Sequence, residues 1–166
     1  WKALVGGFGE DWQTPTLAFK PYPCGTMIQP YIDCALKIRS RGVRHGDVRS
    51  IVSETAEGIL HRLWEPLPAK QRPPNGYAAK FATPYCIATA LVHGAVGLEH
   101  FTDAAVGDES VLALASKVTF AIDSSGIVNV SARDMATGRA QGVQINPAGG
   151  LSQGEINQII HEAEEN

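Results

Sequence analysis

Residues 17–36 read LAFKPYPCGTMIQPYIDCAL, and the two prolines at the fifth and seventh positions of that stretch restrict the backbone more tightly than anything else in the chain. Pro21 and Pro23 fix their own φ and push Lys20 and Tyr22 toward extended conformations. Lys20 is therefore offered from a stiff corner, between a short strand expected over residues 16–20 and a helix expected from Pro30 to Arg41. Pro30 suits the first helical position and Gly42 the stop. A cation beside the free N–H groups of a helix start can seat a carboxylate or a phosphate. Residue types alone favour a plainer reading, in which FKPYP only connects strand to helix.

The rest of the chain divides by hydrophobic period. Gly6, Gly7 and Gly9 suggest a phosphate loop, but no Lys-Ser/Thr pair follows and no clear strand precedes them, so that reading is set aside. In the expected helix Ile32, Ala35 and Leu36 form an apolar face, and Lys37, Arg39 and Arg41 sit near its C-terminus as the helix dipole favours. Asp33 reads as ordinary first-turn chemistry rather than a catalytic acid. Residues 47–57 alternate with β-branched enrichment and predict a half-buried strand. Residues 58–75 hold Pro66, Pro68, Pro73 and Pro74 and read as loop, with Leu63 and Trp64 as anchors and His61 on the surface. Pro84 and Gly94 bracket a second helix with Ile87, Ala90 and Leu91 on its buried side. His93 and His100 lack metal-ligand spacing and read as core or surface histidines. A short helix is expected over residues 108–116.

From Val118 the period changes to two. Strands are expected over residues 118–122 and 127–132 and around Val143 and Ile145, with turns at residues 123–126 and 134–138. Ser152 and Glu155 then form a capping box before Ile156, Ile159, Ile160 and Ala163, which predicts an amphipathic helix. The fold class is α+β: a small mixed helix/strand domain, then an antiparallel three-strand meander and a C-terminal helix.

Composition excludes several functions. A net charge of −3 and a pI near 5.9 give no basic footprint for nucleic acid, and no apolar run is long enough to span a bilayer. With 166 residues and 44% hydrophobic content, the chain can bury one ordinary core or two small ones. Cys24, Cys34 and Cys86 are an odd count without metal spacing, which points to reduced thiols and a cytoplasmic setting. Beyond Lys117 only Arg133 and Arg139 face six acids, and this charge shift places a boundary near residues 116–118. The chain opens on Trp rather than Met, as a fragment or a processed product would.

Two long motifs carry a family resemblance. KPYPCGTMIQPYIDCAL and, at residues 71–96, QRPPNGYAAKFATPYCIATALVHGAV resemble the MmgE/PrpD family, which includes 2-methylcitrate dehydratase and cis-aconitate decarboxylase. The likeness runs over residues 1–117 and matches the lid region that follows the family's large helical domain. It implies a carbon–oxygen lyase of propionate catabolism, acting on a small polycarboxylate without cofactor, iron–sulfur cluster or metal. Such a reaction needs cations for the carboxylates, a base for the carbon proton and an acid for the leaving oxygen. By this resemblance Lys20 falls at the lysine of the KPYP-type motif and Tyr85 at the family's active-site tyrosine, which makes both catalytic candidates; Lys20, Lys80 and Gln29 are the substrate-binding candidates. Many family members carry histidine where this chain has Gln29, and glutamine is no general base at neutral pH. The remaining acid/base residues belong to the helical domain, so the chain alone is expected to be inactive.

Residues 118–166, VTFAIDSSGIVNVSARDMATGRAQGVQINPAGGLSQGEINQIIHEAEEN, resemble a different family, the DnaK-type heat-shock chaperones. The matching part there is the end of the peptide-binding β-sandwich and the start of its helical lid. The chain thus reads as two regions, 1–117 and 118–166. The partners implied are a polycarboxylate and, through the tail, an unfolded peptide, with neither nucleic acid nor membrane and with room for a homo-oligomer. The alternatives to a lyase fragment are a truncated peptide-binding module and a chimeric reading frame with no function as a unit.

Overall fold

The computed structural model describes residues 6–7, 9–10, 12, 14–122, 128–134, 138 and 140–145. One-turn 3-10 segments at Thr14–Thr16 and Thr26–Ile28 lead into helix α1, Gln29–Ser40. Strand β1 follows at Val48–Thr55, then three short helices, α2 (Leu60–Leu63), α3 (Leu67–Gln71) and α4 (Gly76–Ala79). Helix α5 spans Thr83–His93, helix α6 Glu109–Ala115, and strands β2 (Val118–Ile122), β3 (Val128–Asp134) and β4 (Ala140–Ile145) complete the order.

The four strands form one mixed sheet in the order β2-β1-β3-β4. β1 runs parallel to β2, with Ile51 opposite Val118, and antiparallel to β3, with Ile51 opposite Ala132. The expectation of an α+β chain holds, but the three tail strands are not a meander. β1 lies between β2 and β3, and only β3 and β4 pair directly. The reason lies in β1 itself: Val48, Ile51, Ser53 and Thr55 are buried, and a buried strand must pair its N–H and C=O groups on both edges. A bulge between Val48 and Ser50 shifts the inward set from even to odd positions.

Helix α1 packs on β3 and β4, and on α5, which in turn contacts α6 and β2. Ile28, Ile32, Ile38, Ile51, Ile87, Leu91 and Val118 are fully enclosed between these layers. Trp64 is fully buried too, with its ring 5.6 Å from Tyr31 edge-on and 5.3 Å from Phe120. Polar bonds fasten the tail strands to the earlier elements. The Cys34 thiol and the Arg41 guanidinium donate to the carbonyls of Val143 and Gly142 (3.4 and 3.0 Å). Lys117 Nζ donates to the Val48 carbonyl at 2.7 Å, and Gln71 Nε2 to that of Val118 at 3.0 Å.

Two further expectations are corrected. The strand expected over residues 16–20 is absent: Thr16 ends a 3-10 turn and residues 17–20 join no strand of the sheet, with Leu17 and Phe19 68% and 98% exposed. Residues 58–75 are not plain loop but hold α2 and α3. Pro68 stands in the first turn of α3, where the missing N–H is harmless, and burial of Leu63 and Trp64 fixes α2. The expected C-terminal helix and the turn at residues 123–126 lie outside the described residues.

Helix α5 ends as its sequence requires. Gly94 adopts φ +75° and its N–H returns to the Ala90 carbonyl at 2.9 Å. Arg39 donates to the carbonyls of Leu91 and Val92, so the last turn of α5 is capped by a side chain of α1. A Cβ at Gly94 would fall 2.7 Å from Arg39 Nε. Gly94→Ala is therefore expected to destabilise the fold by about 1–3 kcal/mol, read as a lower urea midpoint at unchanged slope. The opposite sign is expected at Ser53, whose fully buried hydroxyl has no hydrogen-bond partner. Ser53→Ala removes a desolvated dipole and should raise the same midpoint, by about 1 kcal/mol in free energy.

Candidate functional site

The proline corner is held on two sides. Tyr22 donates its hydroxyl to Asp33 Oδ1 at 2.5 Å, which ties the corner to α1. Burial first, and this bond second, push the Tyr22 hydroxyl well above its ordinary pKa. On the other side the Gly25 N–H donates to the Lys80 carbonyl at 2.8 Å, joining the corner to the segment between α4 and α5. The reading of Asp33 as a first-turn acid is corrected: the helix begins at Gln29 and has no acid in its first turn, and the Asp33 carboxylate instead anchors the corner through Tyr22.

Of the four residues expected in the site, Lys20 through its side chain and Lys80 through its backbone carbonyl meet the same short stretch of chain. Lys20 is exposed and its Nζ lies 3.4 Å from the Cys24 carbonyl, so the Cys24–Gly25 peptide group is met at its oxygen by the Lys20 ammonium and at its nitrogen by the backbone carbonyl of Lys80. Lys80 is half-buried. Gln29 opens α1 four residues later, and its Nε2 is buried without a hydrogen-bond partner. The exposed rings of Tyr77 and Phe81, 5.4 Å apart, lie in the same segment as Lys80.

Tyr85 goes elsewhere. Its ring is buried in the first turn of α5, and its hydroxyl lies 2.8 Å from the His100 carbonyl and 3.3 Å from that of Ala105. Burial drives its pKa up to about 12. Clefts lined by Arg39–Val43–His45, by His61–Leu67–Phe120 and by Arg41–Asp47–Gln141 include none of the four expected residues.

Two groupings escaped the sequence because their members are far apart along the chain. His93 Nε2 lies 3.2 Å from Asp108 Oδ2, and the His93 and His100 rings are 4.8 Å apart. Asp108 also caps α6 through Oδ1, which accepts from the N–H groups of Ser110 and Val111. His100 Nδ1 accepts from the Gly97 N–H at 2.9 Å, so in the neutral ring it offers a lone pair, not a proton, to nearby Glu99. This group staples the end of α5 to the start of α6. The second grouping is Cys24 with Cys86, whose thiols interact with each other. Among the described residues no cluster of three or more His, Cys, Asp or Glu could hold a metal ion, and no helix is long and apolar enough to cross a membrane.

A mixed sheet backed by two principal helices, with a lysine-bearing corner at the head of the first, defines a small α+β domain. Residues 22–127 match the MmgE/PrpD C-terminal domain, and the chain belongs to that family. Residues 98–166 match the Hsp70 protein family, so the two likenesses overlap across α6 and β2. Heat shock protein hsp-6 of Caenorhabditis elegans is 56% identical over 50 residues, 30% of this chain and 8% of that protein. The chain therefore spans under a tenth of that curated relative and joins regions of two families.

The Tyr85 environment has a measurable sign. The fold favours the neutral phenol, so this group's contribution is complete below about pH 10 and is lost as pH rises toward about 12. The stability gap between the parent and Tyr85→Phe, followed by thermal unfolding, is expected to be of order 1 kcal/mol at pH 8 and to close over that interval. A gap that widens with pH would contradict the buried, neutral assignment.

Proposed function

We propose that this chain supplies the cationic, lid-side wall of a small-polycarboxylate site of the 2-methylcitrate dehydratase type, and that it turns over nothing by itself. The observation that carries this reading is the exposed Lys20 ammonium, 3.4 Å from the Cys24 carbonyl, at a corner whose Gly25 N–H is bonded to the backbone carbonyl of Lys80. An exposed ammonium beside a backbone corner that is bonded in place suits a carboxylate ligand, and Lys80, whose backbone meets the same corner, is the candidate for a second cation. Gln29, at the head of α1 with a buried amide Nε2 that has no hydrogen-bond partner, adds a neutral donor that can orient a carboxylate without proton transfer.

In this reading the division of labour is uneven. Lys20, Lys80 and Gln29 hold and orient substrate. Tyr85, at the family's tyrosine position, donates toward the leaving oxygen only when the His100 carbonyl gives up its hydroxyl on closure over a helical domain. A phenol with a pKa near 12 suits an acid that keeps its proton until that moment. The base for the carbon proton has no candidate among these residues.

The expected outcome is direct. With 2-methylcitrate the chain should produce no alkene absorbance, while NMR titration with citrate should show weak, saturable shifts around residues 20–29 and 80. Lys20→Met and Lys80→Met should each weaken that binding about threefold or more. Turnover by the chain alone, or citrate binding indifferent to both substitutions, overturns the proposal. Saturable binding of an extended apolar peptide at residues 118–145, with no response to citrate, would favour a peptide-binding module drawn from the Hsp70-like part instead.

A further inference from the structure

The two segments that frame the lysine corner also hold a pair of thiols. Cys24 sits in the irregular stretch after Pro23, 5% exposed, while Cys86 stands in the first turn of α5 with none of its surface exposed. Cys24 Sγ lies 3.7 Å from the Gly25 carbonyl, and the two thiols interact with each other. Backbone geometry keeps them together independently of that contact. The Gly25 N–H is bonded to the Lys80 carbonyl, and the Cys86 thiol reaches back to the Ala79 carbonyl at 3.5 Å. Both cysteines are free, as is Cys34.

From this juxtaposition we infer that Cys24 and Cys86 form an oxidant-responsive pair, modified by hydrogen peroxide to an intramolecular disulfide that locks the lysine corner onto α5. Cys24 is the attacking sulfur. The hydrogen bond from Cys86, and after it the Lys20 ammonium, hold its thiol below the ordinary cysteine range, against the opposing effect of burial. Cys86 is the resolving sulfur, kept protonated by burial first and by Cys24 second. The Cys24 thiolate attacks one peroxide oxygen, the O–O bond breaks, and the hydroxide released takes up a proton as water. Cys86 then attacks the resulting sulfenic sulfur, the S–O bond breaks, and the Cys86 proton leaves with that oxygen as a second water. Two thiols are oxidised by two electrons and one peroxide is reduced to two waters.

Cys34 is the internal control. Its thiol is pushed up to about 11 by burial and donates to the Val143 carbonyl across the α1–β4 contact, away from the corner. The modification depends only on the thiol pair and the oxidant, so it stands whether or not the corner binds a polycarboxylate.

The test is peptide mass mapping of the full chain after hydrogen peroxide, alkylation of remaining thiols and digestion without reductant. The expected product is a Cys24–Cys86 cross-linked peptide, lighter by two hydrogens than its parts and released by dithiothreitol, with Cys34 alkylated. Cys24 should be lost at least about tenfold faster than Cys34. Cys86→Ser should stop at a Cys24 sulfenic acid that dimedone traps, and Cys34→Ser should leave the cross-link unchanged. The inference is overturned if all three thiols are alkylated at peroxide levels that oxidise free cysteine. A link through Cys34 or between two chains, or Cys24 driven to sulfinic acid with Cys86 still free, overturns it equally.

Discussion

The structure depends on β1 being paired on both edges. A strand whose inward positions Ile51, Ser53 and Thr55 are sealed from water cannot leave a row of N–H and C=O groups unmatched, since each would lose its water partner and gain nothing. Those partners are β2, in the stretch that both family likenesses share, and β3, in the part that matches the Hsp70 family alone. The two family likenesses are therefore not two beads on a string at the level of the sheet. Arg41, Lys117 and Gln71 reinforce the same seam with side-chain bonds to backbone carbonyls.

Against that frame the corner at residues 20–25 gains its rigidity twice over. Proline limits the backbone from within, while Asp33 and the Lys80 carbonyl hold it from outside. Lys20 remains in solvent although the backbone that carries it is tied down. A side chain presented in this way loses little further freedom on meeting an anion, which is the usual route by which preorganisation improves a weak polar contact.

Local chemistry made much of the fold readable. Pro84 and Gly94 bracket α5, Pro30 and Gly42 bracket α1 within a residue, and β-branched alternation marks β1. What stayed hidden was long-range. Nothing in residues 118–134 says that a strand some seventy residues earlier will come between β2 and β3, because period reports which side faces the core and not which neighbour lies alongside. The short helix α3 was hidden by Pro66 and Pro68, which read as breakers but stand where a helix can begin, and α2, at four residues, is too short to show a period. At the site, Lys20, Lys80 and Gln29 were legible only through the family motif. The Tyr22–Asp33, His93–Asp108 and Cys24–Cys86 pairs have no sequence signature, since each is made by chain segments meeting in space.

The position of β1 also sets a schedule for biosynthesis. Its hydrogen-bonding partners begin at Val118 and Val128, so during translation a half-buried strand with two bare margins waits for some sixty to eighty further residues to emerge. Sheets closed by such distant pairings assemble slowly, and an unmatched strand is in the meantime a template for any other extended segment. A nascent chain of this design depends on later residues to conceal what earlier ones expose.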